Sequence, residues 1–190
     1  MTVGIVGLGL IGGSLAKAYQ AAGEPGLAQD TDRSVLDFAM LSGTVSAPLT
    51  AETLSDCDLI LLAICPEAAI AWFRENVSNI GTRPLVIDCC GTKRTVCAAC
   101  FPLAAEQGVT FLGGHPMAGN HNSGFKYARA NLFHGAPMVL VPADRDDIRL
   151  LDRAKELLAP AGFGRFSVTT AAEHDEVIAF TSQMAHIASN

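Results

Sequence analysis

The sequence predicts an α/β protein: an open, mostly parallel sheet with helices on both faces. Three observations carry this. Short apolar runs alternate with helix-like segments, β-α-β-α-β, through most of the chain. Leu59-Ile60-Leu61-Leu62-Ala63-Ile64 is an unbroken apolar run, as expected of a central strand covered on both faces. The composition agrees: 49% of the 190 residues are hydrophobic and only 17% are charged.

The elements follow in order. The apolar run Val3-Gly4-Ile5-Val6 ends in Gly7-x-Gly9-x-x-Gly12, and Ile11 to Ala22 reads as a helix stopped by Gly23 and Pro25. Strand–glycine turn–helix is the context that gives this motif meaning. Gly7 permits the tight turn, Gly9 lets backbone approach a pyrophosphate, and Gly12 lets the helix lie close on the strand. The helix start, from Leu8 through Leu10 and Ile11, offers free N–H groups and a positive partial charge to phosphates. The sheet is therefore expected to be Rossmann-like over residues 1–169.

A second strand ends at Asp30, 18 residues after Gly12, near the spacing of the carboxylate that hydrogen-bonds an adenosine ribose. With Thr31 beside it, Asp30 favours NAD, because it would repel a 2′-phosphate. Arg33 lies close by and would offset part of that repulsion, which leaves NADP open.

Ser34 to Leu41 is the next helix, with Gly43 as its stop, and a short strand is expected near Val45 to Leu49. The central apolar run ends at Cys65-Pro66, and Glu67 to Asn76 follows as a helix. Leu85 to Asp88 is a strand and Lys93 to Ala105 a helix. Val109 to Leu112 is a strand running into Gly113-Gly114-His115-Pro116. Pro137 to Val141 is a strand, Asp147 to Leu158 an amphipathic helix, and Phe163 to Val168 a last strand. Thr170-x-x-Glu173 is a capping box, with helix expected from there to Asn190. Its apolar face, including Val177 and Ile178, has little core left to receive it.

Several function classes are disfavoured. A net charge of −6 argues against a nucleic-acid partner. No apolar run approaches the ~20 residues that span a bilayer, and the N-terminus lacks the basic region of a signal peptide, so a cytoplasmic protein is expected. Cys97-x-x-Cys100 with Cys89-Cys90 is not a usual zinc spacing; the six cysteines read as reduced, half-buried thiols, and no metal is expected.

In such a sheet ligands bind beyond the carboxyl ends of the strands. Four segments arrive there: the glycine turn, Cys65-Pro66 near the cofactor's ribose and nicotinamide, Asp88-Cys89-Cys90-Gly91-Thr92-Lys93, and the segment with His115. His115 is expected on a sharp loop after two glycines and before a proline, where a histidine suits the acceptance of an alcohol's proton as hydride leaves. Thr92 would add a hydroxyl to its network. Lys93 would contact a substrate anion, cap its helix or simply be solvated. His121, His134 and His174 have weaker claims; His186 is open to a substrate carboxylate or to plain packing.

These residues resemble the prephenate/arogenate dehydrogenases of tyrosine biosynthesis. Gly7 to Ser14 looks like the family's opening, and Asp88 to Lys93 is similar to its Asp-x-x-Ser-x-Lys segment. Gly114-His115-Pro116-Met117-Ala118-Gly119 followed by Ser123-Gly124 is its most specific signature, and Ala128 to Phe133 continues the match. Ala172-Glu173-His174-Asp175, then Thr181-Ser182 and His186, looks like the start of its helical domain, so residues 170–190 are expected to be the first helix of a helical substrate and dimerisation domain that is cut short here.

The resemblance implies NAD-dependent oxidative decarboxylation of prephenate to 4-hydroxyphenylpyruvate, or of arogenate to tyrosine. It places the catalytic histidine on His115 and the helper serine on Thr92, with Ser182 and His186 contributing to the substrate site. It implies a homodimer formed through the helical region. Gln183 and Ala185 depart from the family's Ser-His-Leu-Pro-His element. The family continues for about another domain, which supplies a substrate-binding arginine, so the chain alone is expected to bind cofactor and to turn over weakly or not at all. Two other readings stand: another NAD(P)-dependent oxidoreductase on the same fold, such as a β-hydroxyacid dehydrogenase or imino-acid reductase, and a catalytically silent NAD-binding module.

Overall fold

A computed structural model describes residues 1–188, with side chains through Thr181. Eight strands form one sheet: β1 (Val3–Val6), β2 (Gly26–Gln29), β3 (Val45–Pro48), β4 (Leu59–Leu62), β5 (Leu85–Asp88), β6 (Thr110–Pro116), β7 (Pro137–Val141) and β8 (Arg165–Val168). Their order is β3-β2-β1-β4-β5-β6-β7-β8. The first six are parallel; β7 runs antiparallel to β6, and β8 parallel to β7. The helices are α1 (Leu10–Ala21), α2 (Arg33–Leu41), α3 (Pro66–Ile80), α4 (Arg94–Gln107), α5 (Ile148–Leu158) and α6 (Ala171–Ala188).

The two-residue period of a strand explains the two cores. Alternate residues of β4 point to opposite faces. Leu59 and Leu61 join Leu15 and Tyr19 of α1, Leu36 of α2 and Leu151 of α5 on one face. Ile60 and Leu62 join Trp72, Phe73 and Val77 of α3 and Val96 of α4 on the other. All four β4 residues are fully buried. Each such side chain contributes about 1.5–3 kcal/mol of apolar transfer, so this strand anchors both layers.

Two elements differ from expectation. α3 continues past Asn76 to Ile80, because Val77 and Ile80 carry its buried face beyond the polar pair Ser78-Asn79. β6 does not stop at Leu112: Gly113 to Pro116 pair antiparallel with Val141 to Met138, so His115 sits in a strand opposite Val139, not on a loop. The two glycines serve close packing. A Cβ at Gly113 would lie 2.8 Å from Cys97 Sγ, and one at Gly114 2.6 Å from the Asp88 carbonyl oxygen.

The capping box forms in full: Thr170 Oγ1 accepts from Glu173 N, and a Glu173 carboxylate oxygen accepts from Thr170 N, both at 3.2 Å. Further along α6, Val177 and Phe180 are 60% and 64% exposed. Among the described residues no helix is long and apolar enough to cross a membrane.

Candidate active site

Chain order reverses between β1 and β4, and the crevice at that switch point is where an open α/β sheet binds its ligand. A cleft of about 600 Å³ lies there, lined by Gly7, Gly9, Asp30, Thr31, Ile64 and Cys65 among others. Its floor is the glycine turn. Gly7 adopts φ +90°, a conformation that only glycine takes without strain. A Cβ at Gly12 would lie 1.8 Å from the Gly7 carbonyl oxygen, so α1 can begin here only without a side chain. A Cβ at Gly9 would meet nothing within 4 Å. Gly7 and Gly12 are thus required by the fold, whereas Gly9 leaves open space beside the N–H groups of the helix start.

Asp30 stands at the rim. One carboxylate oxygen accepts from Leu8 N at 2.6 Å and the other from Asp32 N at 2.8 Å, so the group is held in place by the turn it serves. Arg33 is turned to Asp37, with Nε donating to its carboxylate at 3.0 Å, and its side chain is largely exposed. Arg33 therefore pairs with Asp37 and not with Asp30. Leu8 and Leu10 are buried and Ile11 partly so; they bring backbone to the turn, not side chains. Cys65 lines the cleft and Pro66 starts α3. Trp72, on the far wall, donates from Nε1 to Gln29 Oε1 at 2.9 Å.

A second, polar cluster lies two strands away. Asp88, at the end of β5, and Lys93, just before α4, are both fully buried and paired with each other. Asp88 also accepts from Cys90 N at 3.1 Å and Gly114 N at 3.2 Å. This corrects two readings of Lys93. Its ammonium neither faces a substrate anion nor sits in solvent; it joins the ends of β5 and β6 to the start of α4.

His115 projects from the end of β6. Its Nδ1 lies 2.8 Å from Nε2 of His174, and His174 Nδ1 lies 2.7 Å from an Asp175 carboxylate oxygen. Asp175 also accepts from Lys93 N at 2.7 Å and Arg94 N at 2.9 Å, capping α4 from the first turns of α6. Burial pushes the His115 imidazole down to about 4; His174 and the Lys93 cation add to this, and Asp175 opposes it. For Asp175, burial works upward, but the hydrogen bonds from Arg94 N, His174 and Lys93 N outweigh it and hold the carboxyl below the usual range. His115 is thus a neutral base at neutral pH.

The other nitrogen, Nε2, faces Gly91: a Cβ there would lie 3.9 Å away. Counted from Asp88, the serine of the Asp-x-x-Ser-x-Lys pattern also falls on Gly91, not Thr92. Thr92 follows in the same exposed loop and makes no hydrogen bond to His115 among the described residues. Ser182 and His186 lie outside the residues with described side chains. His121 and His134 are exposed.

Burial pushes the thiols of Cys89, Cys97 and Cys100 up to about 12, which makes them unreactive. Among the described residues no three His, Cys, Asp or Glu side chains gather as a metal ion would need.

His174 and Asp175 were not legible as site residues: 59 positions separate His174 from His115, and no spacing rule spans that gap. The Glu-His-Asp run after a capping box reads as an ordinary helix start.

Together these features define a dinucleotide-binding α/β domain of the dehydrogenase type, with a cofactor cleft at the switch point and a neutral histidine further along the same edge. Residues 16–166 match the family model of the prephenate dehydrogenase nucleotide-binding domain, and the chain belongs to that family. It is 34% identical over 188 residues to a probable prephenate dehydrogenase of Streptomyces niveus, covering 98% of this chain and 50% of that protein. The crystal structure of Synechocystis arogenate dehydrogenase is similar with a TM-score of 0.86 and 28% identity, over 96% of this chain and 64% of that one. Prephenate dehydrogenase from Aquifex aeolicus, solved with hydroxyphenyl propionate and NAD+, gives 0.75 and 26%, over 93% and 62%. The chain spans about half the length of the curated prephenate dehydrogenases it matches.

Proposed function

We propose that this chain is the cofactor-binding and proton-accepting half of an NAD-dependent prephenate dehydrogenase. The observation that carries the reading is the row of strand ends: the β1–β4 cleft, the Gly91 loop after β5, and His115 at the end of β6 lie on adjacent strands of one edge. Neighbouring strands are about 4.8 Å apart, so from β1 to β6 the row runs about 14 Å, with His115 at the end away from Asp30.

In this reading the N–H groups at the start of α1 hold the pyrophosphate, and Asp30 accepts from the ribose hydroxyls. Bound NAD would supply the hydride acceptor for the substrate's carbinol carbon. His115 Nε2 takes the hydroxyl proton as that carbon becomes a carbonyl. The bond from the ring to its carboxylate then breaks, CO2 leaves, and its electron pair makes the ring aromatic. The phenolate oxygen takes the proton back from His115, so no net proton is released. With Gly91 where a serine would stand, residue 91 itself offers His115 Nε2 no side-chain hydroxyl.

The test is NADH formation with prephenate and with arogenate, on this chain and on any longer form. NADH appearing with prephenate supports the reading. Turnover of arogenate alone assigns the arogenate activity instead, and NAD binding with no turnover by any form leaves a nucleotide-binding module. Cytoplasmic location and a homodimer formed through residues beyond the sheet belong to the same proposal.

A further inference from the structure

Asp175, His174 and His115 form a line of hydrogen-bonding groups at 2.7 and 2.8 Å that ends at His115 Nε2, which has no hydrogen-bond partner among the described residues. The chemistry of each group orders the protons along it. A carboxylate only accepts, so the ring nitrogen beside Asp175, His174 Nδ1, carries the proton. With that single N–H on the His174 ring, its Nε2 is left as an acceptor. The 2.8 Å contact then needs its proton from His115 Nδ1.

We propose that His174 and Asp175 are positioning residues that hold the His115 proton on Nδ1 and leave Nε2, the nitrogen facing Gly91, with a free lone pair. This rests on the reading of His115 as proton acceptor: that role fails if the proton sits on Nε2. His174 is 4% exposed, so solvent does not compete for its ring nitrogens. The charged groups facing His115 are Lys93 and Asp175, with Asp88 behind Lys93. Lys93 Nζ is paired with Asp88, while the Asp175 carboxylate contacts His174. Asp175 also receives the N–H of Lys93, just before α4, and that of Arg94, its first residue, so the carboxylate cannot swing away without uncapping that helix.

The test is a long-range 1H–15N spectrum of the imidazoles in the 15N-labelled chain at pH 7, without substrate, with His115→Asn to assign the signals. The expected result is a protonated Nδ1 and a bare Nε2 on His115. In His174→Phe the proton is free to redistribute, and the Nε2–H form of His115 should appear; His174→Gln, whose amide oxygen can stand near the old Nε2 position, should restore the original pattern. A wild-type His115 protonated on Nε2 overturns the proposal even if no variant folds. So does an unchanged His115 pattern in folded His174→Phe. In a form that turns over, His174→Phe should lower kcat at least roughly 10-fold, part of the 10²–10⁴ a general base contributes, with NAD affinity changed less than about twofold. The spectrum is read without turnover, so failure of the enzyme assay overturns the catalytic reading while the tautomer is judged separately.

Discussion

The two halves of the site are built in opposite ways. The cleft between β1 and β4 is made of backbone and of side chains that are missing: Gly7, Gly9 and Gly12 within six residues, steadied by Asp30. The cluster around His115 is made of side chains gathered from β5, the start of α4, β6 and α6, most of them buried and each held by another. A backbone site binds shape and charge and follows from a short local pattern. A side-chain network sets one protonation state, and every member matters to the next.

The strongest way to break that contrast is His115→Asn in a form that turns over prephenate. It should lower kcat by roughly 10²–10⁴-fold while NAD still raises the Tm, because the cleft is intact. Loss of NAD binding in that variant would show the halves to be one unit.

Next is Lys93→Met, which leaves Asp88 as an uncompensated buried charge. It should cost about 3–5 kcal/mol, roughly 10 °C in Tm for a chain of this size. The double change Lys93→Met with Asp88→Asn should recover much of that loss. A thermal melt decides it, and no recovery would mean that Asp88 matters chiefly through its bonds to Cys90 N and Gly114 N.

The glycines sharpen the other side. Gly12→Ala should lower the Tm and abolish NAD binding together, since its Cβ would meet the Gly7 carbonyl oxygen at 1.8 Å. Gly9→Ala should leave the Tm nearly unchanged and weaken NAD about tenfold, ~1.4 kcal/mol, because its methyl enters open space that the pyrophosphate needs. Calorimetric titration with parallel melts separates the two.

The smallest effect is in pH. The folded chain holds His115 at about 4, below its ordinary 6.5. Between those values the unfolded chain binds more protons, so stability falls as pH drops through that window. The Tm loss between pH 7 and pH 4.5 should therefore be a few degrees smaller in His115→Asn than in the wild type. In an active form, kcat/KM should hold down to about pH 4.

The same contrast explains what could be read in advance. The glycine turn, the position of Asp30 and the buried run of β4 are local patterns, and the fold class follows from them. His115 was visible as a candidate, but Gly113-Gly114 looks like a turn, and only packing against Asp88 and Cys97 shows that those glycines belong to a strand. Lys93 misled because a lone lysine suggests solvent, and its burial depends on a carboxylate at the end of another element. The link between the α6 pair and His115 was not legible, because only the tertiary fold brings α6 to β6.

Asp175 gives this arrangement a consequence beyond proton placement. One carboxylate both seats α6 on α4 and orients His174, so the two tasks draw on a single free energy. Linkage then works in both directions: a ligand that needs the bare Nε2 of His115 tightens the grip of α6 on α4 by as much as that grip strengthens the ligand. Occupancy at the end of β6 would be felt where α6 meets α4.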